Sequence, residues 1–272
     1  MDNGDRLIGR MAFDFSKYQA VLLDLDGTLF KEDQPLPGAV GLLRRLLTEG
    51  RTVGCPSNST ESPQRMARRI AGMGVEIRAE SIFTAAHAAV EYCVERFAPR
   101  PRVFSLATEG VAEMLAGRTH EVRSEHELCD AVVIGNPECV DATPPRMGIA
   151  MRLLRQGAAC VGICDDRAYP SPRGLEIGSG GMTRMLAYAA AVEPVFFGKP
   201  QRRFFEHVCR RLNVRPEHCV LIGDNLESDI GGAKGVGMGT ILVLTGVSSR
   251  ADAQRLPPQM RPDSVVANLT EL

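Results

Sequence analysis

Val21-Leu22-Leu23-Asp24-Leu25-Asp26-Gly27-Thr28-Leu29 is the stretch on which the reading of this chain turns. An apolar run closed by a glycine reads as a buried strand leading into a turn. Carboxylates at the carboxyl end of such a strand sit where open α/β sheets place their ligands. Residues two apart on a strand share a face, and a turn at Gly27 lets the second carboxylate curl back toward the first. Taken alone, Asp-x-Asp-Gly is also the sequence of an ordinary solvated turn, so the reading depends on what accompanies it.

Three further fragments accompany it. Val53-Gly54-Cys55-Pro56-Ser57-Asn58 is a short strand ending in hydroxyl and amide groups, and Gly198-Lys199-Pro200 follows the apolar Val195-Phe196-Phe197. Val220-Leu221-Ile222-Gly223-Asp224-Asn225 is another apolar strand ending in Gly-Asp, with Asp229 five residues beyond Asp224. Four strand ends, each with a polar group, can converge on one pocket. In type and order the set resembles the haloacid dehalogenase (HAD) superfamily of phosphohydrolases, with its Asp-x-Asp-Gly-Thr, Ser/Thr, Lys and Gly-Asp-x-x-x-x-Asp motifs.

The residue types suit that chemistry. Asp24 beside a hard cation would stay ionised and could attack phosphorus, giving an aspartyl-phosphate that water then hydrolyses. Asp26 is suited to protonate the leaving oxygen and later to take a proton from water. Asp24, Asp224 and the backbone carbonyl of Asp26 offer an oxygen-only ligand set that suits Mg²⁺, with Asp229 supporting it from behind. Lys199, Ser57 and the backbone amides after Ser57 would stabilise charge on the transferring phosphoryl oxygens. Only four of the 32 basic residues are lysines, so a lysine at 199 favours a required point charge. Singly, each residue has a plainer reading: Lys199 at the surface, Ser57 as a helix cap, Asp229 as a first-turn acid.

Spacing sets the architecture. Asp26 and Ser57 are separated by about thirty residues, enough for one strand-helix-strand crossover. Ser57 and Lys199 are separated by about 140, which predicts a second folded unit inserted between them. Ala98-Pro99-Arg100-Pro101-Arg102 and Glu193-Pro194 read as its linkers. The expectation is an α/β fold: a parallel-sheet core at residues 1–98 and 194–272, which the resemblance implies is Rossmann-like, with an inserted α/β cap at 99–193. Within the cap, 102–106, 131–135 and 158–163 read as buried parallel strands, separated by helices that include 110–116 and 148–156. Such a lid would exclude water and read the leaving group.

A cap in that place, together with Ser57-Asn58-Ser59-Thr60, Asp166-Arg167-Ala168-Tyr169-Pro170, Gly178-Ser179-Gly180-Gly181 and Gly223 to Ile230, resembles the class IIA branch: NagD-like, para-nitrophenyl, phosphoglycolate and pyridoxal phosphatases. The likeness runs from about Tyr18 to Ser249 and is most specific in the core motifs. It implies Mg²⁺-dependent hydrolysis of a small phosphomonoester metabolite. Asp24 would be the nucleophile, Asp26 the acid and base, Ser57 and Asn58 phosphate binders, Lys199 the charge stabiliser, Asp224 a metal ligand and Asp229 its support. Asp166 and Arg167 become cap residues that could face substrate, and a homodimer through the cap is implied by the same resemblance. Three departures bear on substrate identity: Ser59 where Asn is common, Cys164 where many members carry Asn, and Pro137 where an acidic residue often stands. Arg146, Arg167 and Arg173 could present guanidinium groups to an anionic substrate, although surface arginines are abundant here.

Composition bounds the rest. The 272 residues are 44% apolar and 24% charged, and 32 basic against 33 acidic residues give no electrostatic case for nucleic acid or anionic membrane. No apolar run approaches the roughly 18 residues of a membrane span, and residues 1–17 lack an apolar signal segment. Eight cysteines without C-x-x-C spacing read as reduced thiols of a cytoplasmic protein. The glycine-rich 231–239 segment reads as a connection, lacking both dinucleotide and P-loop signatures. Two other readings remain open: a phosphotransferase on the same scaffold, and a phosphometabolite-binding or regulatory protein without turnover. Dehalogenation is disfavoured, because halide needs no proton from Asp26.

Overall fold

A computed structural model describes residues 13–97, 99–137, 142–171 and 173–272. Ala20–Leu23 forms a fully buried strand, as its unbroken apolar run requires. It lies inside a six-stranded sheet ordered Ser264–Val266, Gly239–Val243, Cys219–Gly223, Ala20–Leu23, Thr52–Ser57, Ile82–Thr84. Every pairing in it is parallel. Connections run to opposite flanks from Ala20–Leu23, and such a reversal opens a crevice at the carboxyl ends of the two central strands. Leu23 pairs with Ile222, and the Asp24 amide donates to the Ile222 carbonyl at 2.9 Å. The two acidic motifs are thereby brought side by side.

Helices cover both faces of the sheet. Pro63–Gly72 starts where the Ser62 hydroxyl accepts from the Arg65 amide and Pro63 takes the first turn, and Gly74 at φ 85° follows its end. Ala85–Arg96 is capped by the Thr84 hydroxyl on the His87 amide. Its small residues, Ala85, Ala86, Ala89 and Cys93, share one apolar cluster with Leu22 and Phe83 of the first sheet and with Val103, Val133 and Val161 of a second. The large side chains they cover, Leu22, Phe83, Val103, Val133 and Val161, are worth about 1.5–3 kcal/mol each when fully buried, so the helix is a joint between the two sheets.

The second sheet is also all parallel, ordered Val195–Phe196, Ala159–Gly162, Ala131–Ile134, Arg102–Leu106, His120–Glu121. Helices Glu109–Leu115, Pro144–Arg155 and Ser179–Ala190 connect its strands. The inserted α/β unit and its three central strands thus follow the sequence pattern. One element differs: Val195–Phe196, read as opening the C-terminal part of the core, pairs with Val161–Gly162 at the edge of the second sheet. An apolar doublet carries no mark of which sheet it joins, and here the ring of Phe196 fills the space beside Gly162. The antiparallel hairpin Ala168–Ser171 with Gly174–Ile177 was likewise not anticipated in a cap read as parallel.

Seven cysteines are free, and Cys139 lies outside the described residues, as do residues 1–12 of the N-terminal extension. Among the described residues no helix is long and apolar enough to cross a membrane.

Candidate active site

Asp24, Asp224 and Asp229 meet at the crevice, their ligand oxygens all within 4.8 Å of one another and each side chain almost wholly buried. Asp24 follows the central strand directly. Asp224 follows Cys219–Gly223, and glycines on two sides make room for it: a Cβ at Gly27 or at Gly246 would overlap its carboxylate. The Val247 amide donates to Asp224 Oδ2 at 2.7 Å, and the Thr245 hydroxyl donates to the Gly27 carbonyl at 2.7 Å. The 245–247 loop, unremarked in the sequence, therefore ties the two acidic motifs together. Asp229 sits on a π-helical turn, Leu226–Gly231, which brings its Oδ2 back to the Asn225 amide at 3.1 Å.

The Lys199 ammonium is buried between carboxylates, bonded to Asp24 Oδ1 and 2.7 Å from Asp229 Oδ1. Its backbone is held from the second motif. Asn58 Oδ1 accepts the Lys199 amide at 2.7 Å, while Asn58 Nδ2 donates to the Lys199 carbonyl at 3.0 Å and to Asp166 at 3.0 and 3.1 Å. The amide side chain of Asn58 is thus committed to a clamp rather than free for a ligand. Ser57 is buried at the end of its strand, and its hydroxyl accepts the Ser59 amide at 3.1 Å. The Ser59 hydroxyl is turned away, toward the Glu61 amide and Met66 Sδ.

The charge balance is unusual for an interior. Three buried carboxylates face one buried ammonium, and a buried anion without full compensation is costly. Burial raises the pKa of Asp24 to about 6, with Lys199 acting against the rise and Asp224 adding to it. Asp229 is likewise raised to about 6 by burial against the pull of Lys199, and Asp224 is raised by burial and by Asp229. For Lys199 burial works downward, but Asp229 and Asp24 outweigh it and the net direction is up, so the lysine stays charged. An oxygen-only pocket with surplus buried negative charge fits a hard divalent cation such as Mg²⁺.

Asp26 differs from its neighbours, with 58% of its side chain accessible at the crevice mouth. Partial burial raises its pKa, with Arg69 and Lys199 opposing the rise. Arg69 Nη1 lies 3.5 Å from Asp26 Oδ1, a contact missed in the sequence because arginine is common on the exposed face of that helix. On the cap side, Asp166 joins the cluster through Asn58 and through the Cys164 thiol at 3.3 Å, while Arg167 is exposed. Arg146 donates to the Ser105 carbonyl at 2.9 Å and the exposed Arg173 pairs with Glu176 at 3.1 Å, so each guanidinium has a partner within the second unit.

A doubly wound parallel sheet with paired acids, a buried lysine and an inserted cap defines a hydrolase of the haloacid dehalogenase type, and the chain belongs to the haloacid dehalogenase-like hydrolase family. Residues 21–119 match that family and residues 196–272 match the HAD-hydrolase-like family. The chain is 34% identical over 242 residues to the haloacid dehalogenase-like hydrolase domain-containing protein 2 of Rattus norvegicus, covering 88% of this chain and 89% of the rat protein. It is 30% identical over 245 residues to an acid sugar phosphatase of Staphylococcus aureus, covering 89% and 93% of the two. Among solved structures, glycerol phosphate phosphatase from Mycobacterium tuberculosis in complex with magnesium superposes with a TM-score of 0.83 at 30% identity, over 94% of this chain and 77% of that one. A 4-nitrophenylphosphatase from Thermotoga maritima gives 0.85 at 28% identity, over 94% and 97%. Three of these four relatives are phosphatases by name, as the branch that the motifs resemble implies.

Proposed function

We propose that this protein is a Mg²⁺-dependent phosphatase that hydrolyses a small phosphomonoester metabolite through an aspartyl-phosphate on Asp24. The observation that carries the reading is the buried constellation of Asp24, Lys199, Asp229 and Asp224 within one crevice. Asp24 attacks phosphorus, the bond from phosphorus to the ester oxygen breaks, and Asp26 donates its proton to that oxygen. Water then attacks the aspartyl-phosphate and gives a proton to Asp26, releasing inorganic phosphate and restoring Asp24. Lys199 and Ser57 stabilise the equatorial oxygens during both transfers. Asn58 contributes through its backbone and through the placement of Lys199, since its side chain is already bonded. Asp24, Asp224 and the Asp26 carbonyl would hold Mg²⁺, with Asp229 supporting them, and the ion would supply Lewis-acid neutralisation of phosphoryl charge.

The pairing of Val195–Phe196 with the second sheet moves the expected boundary at 193/194 to about Phe197, so we assign residues 13–97 and about 198–272 to the catalytic core and the segment between them to the cap. Asp166 reaches the crevice from the cap through Asn58, and it and its neighbour Arg167 are the first positions to vary for substrate choice. Relatives that are named for acid sugar phosphates and glycerol phosphate favour phosphorylated sugars and polyols as the first compounds to try. Leu175 and Tyr188, 80% and 91% exposed on the cap hairpin and helix, together with Ile177 and Met185, offer an apolar surface for a homodimer through the cap. Reduced buried thiols favour cytoplasmic residence.

The test is phosphate release from a panel of phosphomonoesters with and without Mg²⁺, for the intact chain and Asp24→Asn. Mg²⁺-dependent release that vanishes in the variant supports the reading. Acceptor-dependent product with little free phosphate would replace it by a phosphotransferase, and tight binding without turnover by a regulatory protein.

A further inference from the structure

Asp26 and Arg69 belong to a closed circuit. The Gly27 amide donates to the Phe30 carbonyl at 2.7 Å, which fixes the turn that carries Asp26. The buried ring of Phe30 carries the Arg69 guanidinium, whose Cζ lies 4.3 Å from the ring centroid. The guanidinium then returns to Asp26 Oδ1 through Nη1 at 3.5 Å. Its other edges are also held: Nε donates to Asp33 Oδ1 at 3.0 Å and Nη2 to the Glu32 carbonyl. Glu32 and Asp33 form the tip of a hairpin with only two residues per strand, Phe30–Lys31 and Gln34–Pro35, and so short a ribbon does not hold itself in place. Among the described residues Arg69 is the only ion-pair partner of Asp26.

Arg69 is itself 30% exposed, and exposed ion pairs contribute little to stability. A planar fork with donors on three sides, stacked on an aromatic ring, can instead fix the direction of the carboxylate it meets. We propose that Arg69 is a positioning residue that aims the Asp26 carboxyl at the leaving-group oxygen and anchors the adjoining hairpin. The proposal rests on the phosphatase reading above.

The consequence depends on the leaving group. An alkoxide cannot depart without a proton, whereas 4-nitrophenolate departs nearly unaided, so a misaimed acid harms the first far more. The quantity to follow is kcat/KM, which reports the steps up to phosphoryl transfer to Asp24 and omits the later work of Asp26 as a base. For Arg69→Gln with Mg²⁺ present, we expect kcat/KM to fall roughly tenfold to a hundredfold for alkyl phosphates and less than about threefold for 4-nitrophenyl phosphate, within the usual reach of general acid catalysis. Arg69→Lys keeps the charge without the fork and shows the same bias. In an Asp26→Asn background, Arg69→Gln has no further effect. Thermal unfolding of each variant confirms that it is folded.

An equal loss across all leaving groups, full activity in Arg69→Lys, or additivity with Asp26→Asn would each overturn the positioning role. Failure of the intact chain to hydrolyse any phosphate in the series would overturn the phosphatase reading itself, and is thereby distinguished.

Discussion

Replacing Asp24 by Asn removes the proposed nucleophile, and it also removes one of three buried carboxylates that share one ammonium. The structure gives the sign of the second effect. Asp24 rises from the ordinary aspartate value of 3.8 to about 6, the largest cause being burial, with Lys199 in opposition. At about 1.4 kcal/mol per tenfold change in proton affinity, that rise disfavours the ionised form in the fold by roughly 3 kcal/mol. A folded-state pKa above the unfolded one means that the contribution is fully favourable below about 4 and is lost as pH rises through about 6. In the metal-free protein at pH 7.5, Asp24→Asn is therefore expected to be the more stable chain, while Lys199 keeps Asp229 as its partner. For a chain of this length, a gain of up to about 3 kcal/mol corresponds to a melting temperature higher by up to about 5 °C. The assay is thermal unfolding in EDTA at pH 5 and pH 7.5, followed by titration with Mg²⁺. The advantage of the variant should shrink at pH 5. Mg²⁺ should raise the intact chain more than the variant, by about 2.7 kcal/mol at a hundred times Kd. If Asp24→Asn melts at or below the intact chain in EDTA at pH 7.5, surplus buried charge is not what strains this crevice.

Three other outcomes are expected. Gly246→Ala drives a methyl into the Asp224 carboxylate, so the Mg²⁺ concentration for half-maximal activity should rise at least tenfold, measured by Mg²⁺ titration of turnover. Asn58→Ala leaves the amide and carbonyl of Lys199 without their partners and should cost about 1–3 kcal/mol in denaturant unfolding, along with most of the activity. Burial lowers the pKa of His87, with Glu91 opposing and Arg211 and Arg118 assisting, and burial with His87, Arg210 and Arg211 lowers that of His207. The unfolded chain binds protons at these sites first, so their contribution is lost as pH falls below about 6.5, opposite in sign to that of the buried carboxylates, and His87→Gln should raise the unfolding midpoint at pH 5 relative to that at pH 7, compared with the intact chain.

The parts of the site that the sequence revealed are those where a local pattern and a chemical type coincide. Asp24 and Asp224 each close an apolar run, and a buried run in an α/β chain ends at the ligand face. Lys199 could be singled out because lysine is scarce in the chain. Arg69 could not, since Arg65 and Arg68 share its helix and only the fold distinguishes the one that reaches Asp26. Gly246 and Val247 were silent because their role is set by approach to Asp224 from 22 and 23 residues away, and no short-range pattern encodes that distance. Asn58 was legible as a site residue, but its side chain serves Lys199 and Asp166, partners more than 100 residues distant. Val195–Phe196 has the composition of either sheet, and its membership follows only from the pairing with Val161–Gly162.

That pairing bears on how this architecture can be recombined. The strand that joins the second sheet at Val195–Phe196 runs within three residues into Lys199, so one continuous backbone belongs first to the lid and then to the reaction centre. A chimera cut at the proline before Val195 would leave that strand behind without the neighbour that seats it, and the lysine would inherit the misfit. Lid exchange in this chain must carry the graft through Phe197, which makes the lid's last strand and the ammonium a single inheritable unit.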